Sequence, residues 1–418
     1  MPATLAYYLH NLDPYVFRIG NFGPRWYGLA YLMGFLCAYL LIRKLNRDGM
    51  LRLRPKLVAD LVLNACIFGV LVGGRLGFVL FYDLPNALKE HRTPLLWDFS
   101  TTLPFWGALK VWDGGMAAHG GIVFSILTLM VFAWKYLGQP TTRQLVTLIA
   151  GVFVMGATGW MLAYVTLQDE NFRVAGAMIF GIGWLVYCGK RYSIPAINIG
   201  DAACMVVPIG LFFGRIANFI NGELYGHPTN VPWAVKFPSE IYAPTNGVHD
   251  PGVMAQLIPK LQVPLDLING DVLQERALDE FGRKLMAHDP AAMKLVEPIL
   301  LPRHPSQLYE ALMEGALLFA ICWTVGRIWR KDGMASGAFL VFYPIMRILG
   351  EQFRVGDTPV MIGNLSVSKG VLYSLPMLFA GAIYWGYFIR KSKPLVWTPI
   401  PDEPEEPADK EPRRLKTS

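Results

Sequence analysis

Charge is scarce in this sequence. Only 17% of its 418 residues are charged, against 53% hydrophobic and 13% aromatic, and the mean hydropathy is +0.35. An ordinary soluble domain carries about 25% charged residues, so this composition points to an integral membrane protein. Cysteine is also scarce. Cys37, Cys66, Cys188, Cys204 and Cys322 each sit inside an apolar run with no CxxC spacing. That excludes a disulfide framework or thiolate metal site and makes them packing residues. No Walker loop, no GxGxxG after a strand and no HExxH occurs, so nucleotide use and zinc hydrolysis have no support. The start, "MPATLAYYLHNLDPYVFRIG", lacks a basic n-region and a small-residue cleavage site, and no processing is expected. The net charge of +7 is spread over loops and helix ends, with no basic amphipathic face. It reads as attraction to anionic lipid, with no nucleic acid partner.

Long apolar runs are plentiful. A helix of roughly 18 to 25 apolar residues spans the hydrocarbon core. Such runs fall at about 26–42, 57–82, 116–134, 144–167, 174–189, 199–221, 307–326, 334–353 and 366–389. The expectation is an all-α polytopic membrane protein with about nine transmembrane helices. The first loop, "RKLNRDGMLRLRPK", is densely basic and is expected in the cytoplasm, which places the amino terminus outside. Alternation then makes Lys190, Arg191, "RIWRKDG" and the stretch after Arg390 cytoplasmic. The mixed-charge, proline-containing segment from about 222 to 306 falls outside and reads as a small extracytoplasmic cap. The expected parts are 1–138 with spans 1–3, 139–190 with two spans, 191–226 with span 6, the cap 227–306, 307–392 with spans 7–9, and a disordered tail 393–418.

Ionisable residues within these spans are the exception that needs a reason. A central Arg or Asp is disfavoured by ~2.5 to 3.5 kcal/mol on insertion scales, so it should face a bundle interior or a polar cavity. In "FFGRIANFING", Arg215, Asn218 and Gly222 form one helical stripe, and Gly214, Asn218 and Asn221 its neighbour. In "VFYPIMRILGEQFR", Tyr343, Arg347, Glu351 and Arg354 form a second. Arg75 in "VGGRLGFVLFY" is flanked by glycines that admit another backbone or a headgroup. His119 lies in the glycine-rich helix entry "WDGGMAAHGGIVF", where free N–H groups and a neutral ring can meet an anion. Each has a plainer reading: Arg347 and Glu351 as an i,i+4 pair, the asparagines as interhelical contacts, Asp201 as a cap, His119 as a structural residue. Together, three intramembrane arginines with fewer acids on their stripes leave positive charge that calls for an anion, and in a membrane that anion is a lipid phosphate.

"GRIANFINGELYG" resembles the signature of the prolipoprotein diacylglyceryl transferases, Gly-Arg-x-x-Asn-Phe-x-Asn-Gly-Glu-x-x-Gly. "RWYGLAYLMGF", "GGRLGFVLFY", "VWDGGMAAHGG", "RHPSQLYEALMEG" and "YPIMRILGEQFR" resemble further blocks of that family, in its order. The family core has seven spans. Residues from Gln139 to about Cys188 would then be an inserted pair, which preserves the side of everything downstream, and the cap and tail are also longer than the family's usual pattern.

The resemblance implies transfer of the sn-1,2-diacylglyceryl group from phosphatidylglycerol to the lipobox cysteine of a prolipoprotein signal peptide, in the bacterial inner membrane. It implies that Arg215 and Arg347 bind the phosphate, that Asn218, Asn221 and Glu223 orient the headgroup, and that Gly222 and Gly226 allow its close approach. Tyr27, Arg75 and Tyr343 would line the lipid pocket, with Glu351 holding Arg347. His119 is the candidate base for a thiol of pKa ~8.5, with Glu223 and Glu351 as the alternatives. No metal or cofactor is expected. A transporter or flippase for an anionic lipid or metabolite is the other class to weigh; it would show inverted repeats with broken helices, and the signature has no second copy.

Overall fold

The computed structural model describes residues 7–17, 23–91, 93–95, 108, 115, 117–167, 170–244, 249–261, 270–356, 360–362 and 365–392. Residues 393–418, where a disordered tail is expected, lie outside them, as do Trp112 to Gly114 and Met116 of the glycine-rich motif. The described chain is almost wholly helical. Every apolar run read from the sequence is a helix: α1 (Trp26–Arg47), α2 (Leu57–Leu88), α3 (Ala118–Leu137), α4 (Thr142–Leu167), α5 (Glu170–Arg191), α6 (Ile197–Ile220), α11 (Ser306–Trp329), α12 (Met334–Glu351) and α13 (Lys369–Lys391). Four shorter helices lie between α6 and α11: α7 (Ser239–Tyr242), α8 (Pro251–Leu257), α9 (Gly270–Met286) and α10 (Pro290–Val296). Seven helices are long and apolar enough to cross a membrane among the described residues: α1, α2, α3, α4, α6, α11 and α13. The helices α5 and α12 are not among these seven, and α12 carries Tyr343, Arg347 and Glu351 within its 18 residues.

The chain divides into two compact units. One takes the chain up to Ala38 and from Cys204 to Lys393; the other takes Tyr39–Ala203.

In the second unit, glycine sets the helix spacing. A Cβ at Gly77 would lie 2.4 Å from the Gly120 Cα, and one at Gly120 would lie 2.5 Å from the Gly77 Cα, so α2 and α3 touch backbone to backbone. The α4–α5 hairpin repeats the device: Cβ atoms at Gly159 and Gly176 would meet the other's carbonyl oxygen at 2.2 and 2.3 Å. Helix α2 is 32 residues long and winds wider over Ala65–Val72 and Val79–Asp83, on either side of the turn carrying Arg75. Such wide turns cluster at functional or strained places in helices.

In the first unit, the segment between α6 and α11 packs on an apolar cluster of its own: Ile241, Val253, Leu257, Phe281, Leu285 and neighbours. Its helices begin by local chemistry. Asp250 accepts from the backbone N–H groups of Gly252 and Val253 at 2.9 and 3.2 Å, and Asp289 from that of Ala292 at 2.8 Å, each with proline at the first helical position. A short parallel pairing ties β1 (Tyr8–Leu9) to β2 (Val235–Lys236), and β3 (Val360–Ile362) pairs antiparallel with β4 (Leu365–Val367). None of the five cysteines forms a disulfide.

Candidate functional site

The signature is a helix C-cap with its side chains repurposed. Gly222 has φ +68°, the left-handed conformation that ends a helix. The Glu223 N–H donates to the Asn218 carbonyl at 3.1 Å and the Gly222 N–H to the Phe219 carbonyl at 2.9 Å, the two bonds of a Schellman motif. The ordinary motif adds an apolar contact between the residues at 218 and 223. Here that contact is polar: Asn218 Nδ2 donates to Glu223 Oε1 at 2.8 Å. The Tyr27 hydroxyl of α1 donates to the same oxygen at 2.5 Å and also contacts Asn218. Local sequence thus joins Asn218 to Glu223 at the end of α6, and packing of α1 adds Tyr27 to the cluster.

Other segments fasten this cap. His10, 6% exposed, donates from Nε2 to the Phe219 carbonyl at 2.7 Å and packs edge-on against the Phe219 ring. Burial pushes its imidazole from an ordinary 6.5 to about 4, so it is neutral near pH 7. Ser239 donates to the Gly222 carbonyl, Gln307 to that of Glu223 at 2.6 Å, and Ser306 to that of Leu224 at 2.9 Å. Arg303 forms a buried two-pronged pair with Glu240, its Nε 3.0 Å from Oε2, and stacks 5.1 Å from the Tyr225 ring. The necessity of Gly226 also comes from protein: a Cβ there would lie 2.3 Å from the Phe353 carbonyl oxygen and 2.7 Å from the His304 Cβ.

The arginines are where the structure departs most from the sequence reading. Arg215 of α6 reaches Glu310 Oε2 at 3.1 Å and Glu314 Oε2 at 3.0 Å. Arg347 of α12 reaches Glu310 Oε1 at 2.7 Å and Glu314 Oε1 at 3.6 Å through Nη1, and Glu351 Oε2 at 2.8 Å through Nη2. Glu310 and Glu314 are fully buried. Two guanidinium groups therefore face three carboxylates, and the expectation of uncompensated positive charge is corrected. The missing acids come from α11, whose turns widen over Ala311–Leu317. "YEALMEG" carries them four residues apart inside an apolar run, and that spacing was the signal available in the sequence. The pairing of Arg347 with Glu351 is as expected. Gly370 makes room for it, since a Cβ there would lie 2.7 Å from the Glu351 carboxylate. Tyr343 is within electrostatic reach of Arg215, Arg347, Glu310 and Glu314.

Among the described residues, the buried Asn221 Oδ1, Gln307 Oε1 and Arg354 Nε have no hydrogen-bond partner. Arg354 lies within electrostatic reach of Arg347, Arg215, Glu310 and Glu351. Buried polar groups are nearly always paired, so these are candidate ligand contacts. Among the described residues no group of His, Cys, Asp or Glu is arranged to hold a metal.

Arg75 and His119 belong to the second unit. Arg75 is buried and clamps backbone: Nε donates to the Ala108 carbonyl at 2.8 Å and Nη1 to that of Gly115 at 3.0 Å. The glycines beside it, Gly73 and Gly77, admit α3 at Phe124 and Gly120. His119, in the first turn of α3, has Nδ1 3.0 Å from the Tyr82 hydroxyl, with the two rings stacked at 6.5 Å.

Fold and site define a multi-pass membrane protein with a partly buried, charge-compensated pair of arginines next to a polar helix cap. The profile of the prolipoprotein diacylglyceryl transferase family matches residues 14–160 and 160–387. The phosphatidylglycerol–prolipoprotein diacylglyceryl transferase of Bdellovibrio bacteriovorus is 32% identical over 392 residues, covering 90% of this chain and 92% of its own length. Proteins of the same name from Serratia proteamaculans and Geobacter sulfurreducens are 31% and 30% identical, over 92% and 89% of this chain and 97% and 93% of their own. The chain belongs to the prolipoprotein diacylglyceryl transferase family.

Proposed function

We propose that this protein transfers the sn-1,2-diacylglyceryl group of phosphatidylglycerol to the lipobox cysteine of a prolipoprotein, in the bacterial inner membrane. Sulfur forms a bond to the glycerol carbon, the bond from that carbon to the phosphate oxygen breaks, and glycerol phosphate leaves with the electron pair. The thiol proton passes to a base, for which His119 is proposed. Negative charge grows on the phosphate as the bond breaks, so cations placed there stabilise the transition state more than the bound lipid.

The observation that carries this reading is the pair Arg215 and Arg347 bridged by Glu310. Each guanidinium has five N–H donors and spends only part of them on carboxylates, so both forks are held in place while donors remain for phosphate oxygens. The carboxylates keep two cations tolerable inside the membrane before substrate arrives. Asn221 Oδ1 and Gln307 Oε1 suit the glycerol hydroxyls, and Arg354 Nε suits a phosphate oxygen. Tyr27, Asn218 and Glu223 form the wall of the headgroup site, with Gly222 and Gly226 shaping its backbone and Tyr343 beside the arginines. Arg75 supports the lipid pocket by holding backbone.

In this reading nine helices span the membrane, α4 and α5 form the inserted pair, residues 227–306 lie outside, and the amino terminus is outside with the carboxyl terminus in the cytoplasm. The test is direct. Purified protein, labelled phosphatidylglycerol and a lipobox peptide should give labelled peptide, and the same peptide with its cysteine changed to serine should give none. Label on the serine peptide, or none on the cysteine peptide, would overturn the assignment.

A further inference from the structure

The second unit holds a groove of about 530 Å³ at the carboxyl end of α1. Tyr39, Arg43 and Arg47 line it, and their i, i+4, i+8 spacing puts them on one face of the helix. Lys56 lines it too, just before α2, and Pro55 and Val58 contribute apolar surface. No carboxylate is among the lining residues. Like charges one turn apart repel, and although the carboxyl end of a helix favours cations, an anion between Arg43 and Arg47 would relieve that repulsion. The adjacent cation shows the alternative, since Lys44 is neutralised by Asp48 at 3.5 Å. Among the described residues Arg43 and Arg47 form no ion pair.

The backbone on one side of the groove is held in place. Asn46, 6% exposed, donates from Nδ2 to the carbonyls of Leu51 and Leu53 at 3.2 and 2.6 Å. Asn198 accepts from the Arg52 N–H at 2.8 Å and donates to the Met50 carbonyl at 3.0 Å. The turn leading to Lys56 is thus pinned from two sides. Leu40 and Leu63, on α1 and α2, are 52% and 57% exposed and offer apolar surface to acyl chains. A tyrosine followed by arginines at a helix end is also the chemistry of a membrane interface.

We infer that this groove binds the phosphate of an anionic phospholipid, from the leaflet at that end of α1. Guanidinium groups recognise phosphate oxygens in pairs, and Lys56 adds a point charge. None of its residues has a part in the proposed reaction, and the inference does not depend on it.

The test uses the purified full-length chain in detergent, titrated with phosphatidic acid or phosphatidylcholine, with bound lipid counted by native mass spectrometry. Wild type should retain phosphatidic acid in preference to phosphatidylcholine. Arg43→Gln with Arg47→Gln should weaken the affected site about ten-fold or more. Lys44→Gln, which removes the same kind of charge outside the groove, should change nothing. The double lysine variant, Arg43→Lys with Arg47→Lys, keeps the charge and should retain part of the preference, which separates lost recognition from lost folding. Competition by inorganic phosphate as effective as that by lipid would keep the anion site but overturn the lipid as its source. An unchanged lipid preference in the double glutamine variant would overturn the site itself.

Discussion

Arg347 is the position at which charge and geometry can be separated most cleanly. Its Nη1 and Nη2 serve different partners at once, Glu310 Oε1 at 2.7 Å and Glu351 Oε2 at 2.8 Å. A lysine keeps the charge but has a single nitrogen, which can replace one arm of the fork and not both. The expected stability cost is that of one charge-assisted hydrogen bond, about 1.5 to 3 kcal/mol. Transfer should fall further, on the order of 10²- to 10³-fold, as when a single preorganised donor to a developing anion is removed. Arg347→Ala is a different experiment: Glu310, Glu314 and Glu351 would face Arg215 alone, and an unpaired buried charge costs about 3 to 5 kcal/mol. That variant should fail to accumulate. Glu310→Gln leaves two carboxylates for two guanidinium groups, so it should insert normally and lose about ten-fold in transfer through looser forks. The assay is transfer of labelled diacylglyceryl to a lipobox peptide, normalised to membrane-inserted protein. Near-wild-type transfer by Arg347→Lys would refute the reasoning, because the residue would then act as a point charge.

His10 binds its proton at about 4 in the fold and near 6.5 when unfolded, so the unfolded state gains protons first as pH falls. Stability should be full above pH ~6.5 and decline by up to about 3 kcal/mol by pH ~4; thermal melts of His10→Gln should lack that part of the decline, and an identical acid profile would refute it. Gly226→Ala should destabilise the chain by about 1 to 3 kcal/mol, because the new methyl meets the Phe353 carbonyl at 2.3 Å; an unshifted melting temperature would show that the backbone yields freely. If His119 takes the thiol proton, His119→Gln should lower transfer by ~10² to 10⁴ and remove the acid limb of its pH profile, while an unchanged limb moves the role elsewhere. Cysteine labelling of intact cells should mark residue 48 as cytoplasmic and residue 250 as outside, and external labelling at 48 would reverse the orientation.

What could be read without the fold was whatever depends on near neighbours. Apolar runs of spanning length became helices within a few residues of their expected ends, because length and hydropathy are local properties. The end of α6 was legible for the same reason: Asn218, Gly222 and Glu223 are close enough in sequence for one Schellman turn to bring them together. The charge balance of the site was not legible. Arg215 meets Glu314 across 99 residues and Arg347 meets Glu310 across 37, and counting acids on each helix's own stripe cannot find partners that another helix supplies. Gly226 and Arg75 show the same limit. Gly226 also packs on the Phe353 carbonyl and Arg75 also binds the Ala108 and Gly115 carbonyls, contacts that only the packing of distant segments could bring to them. In a membrane a charge needs a partner or a polar cavity; helix sequence decides that one is required, and the packing of helices decides which residue supplies it.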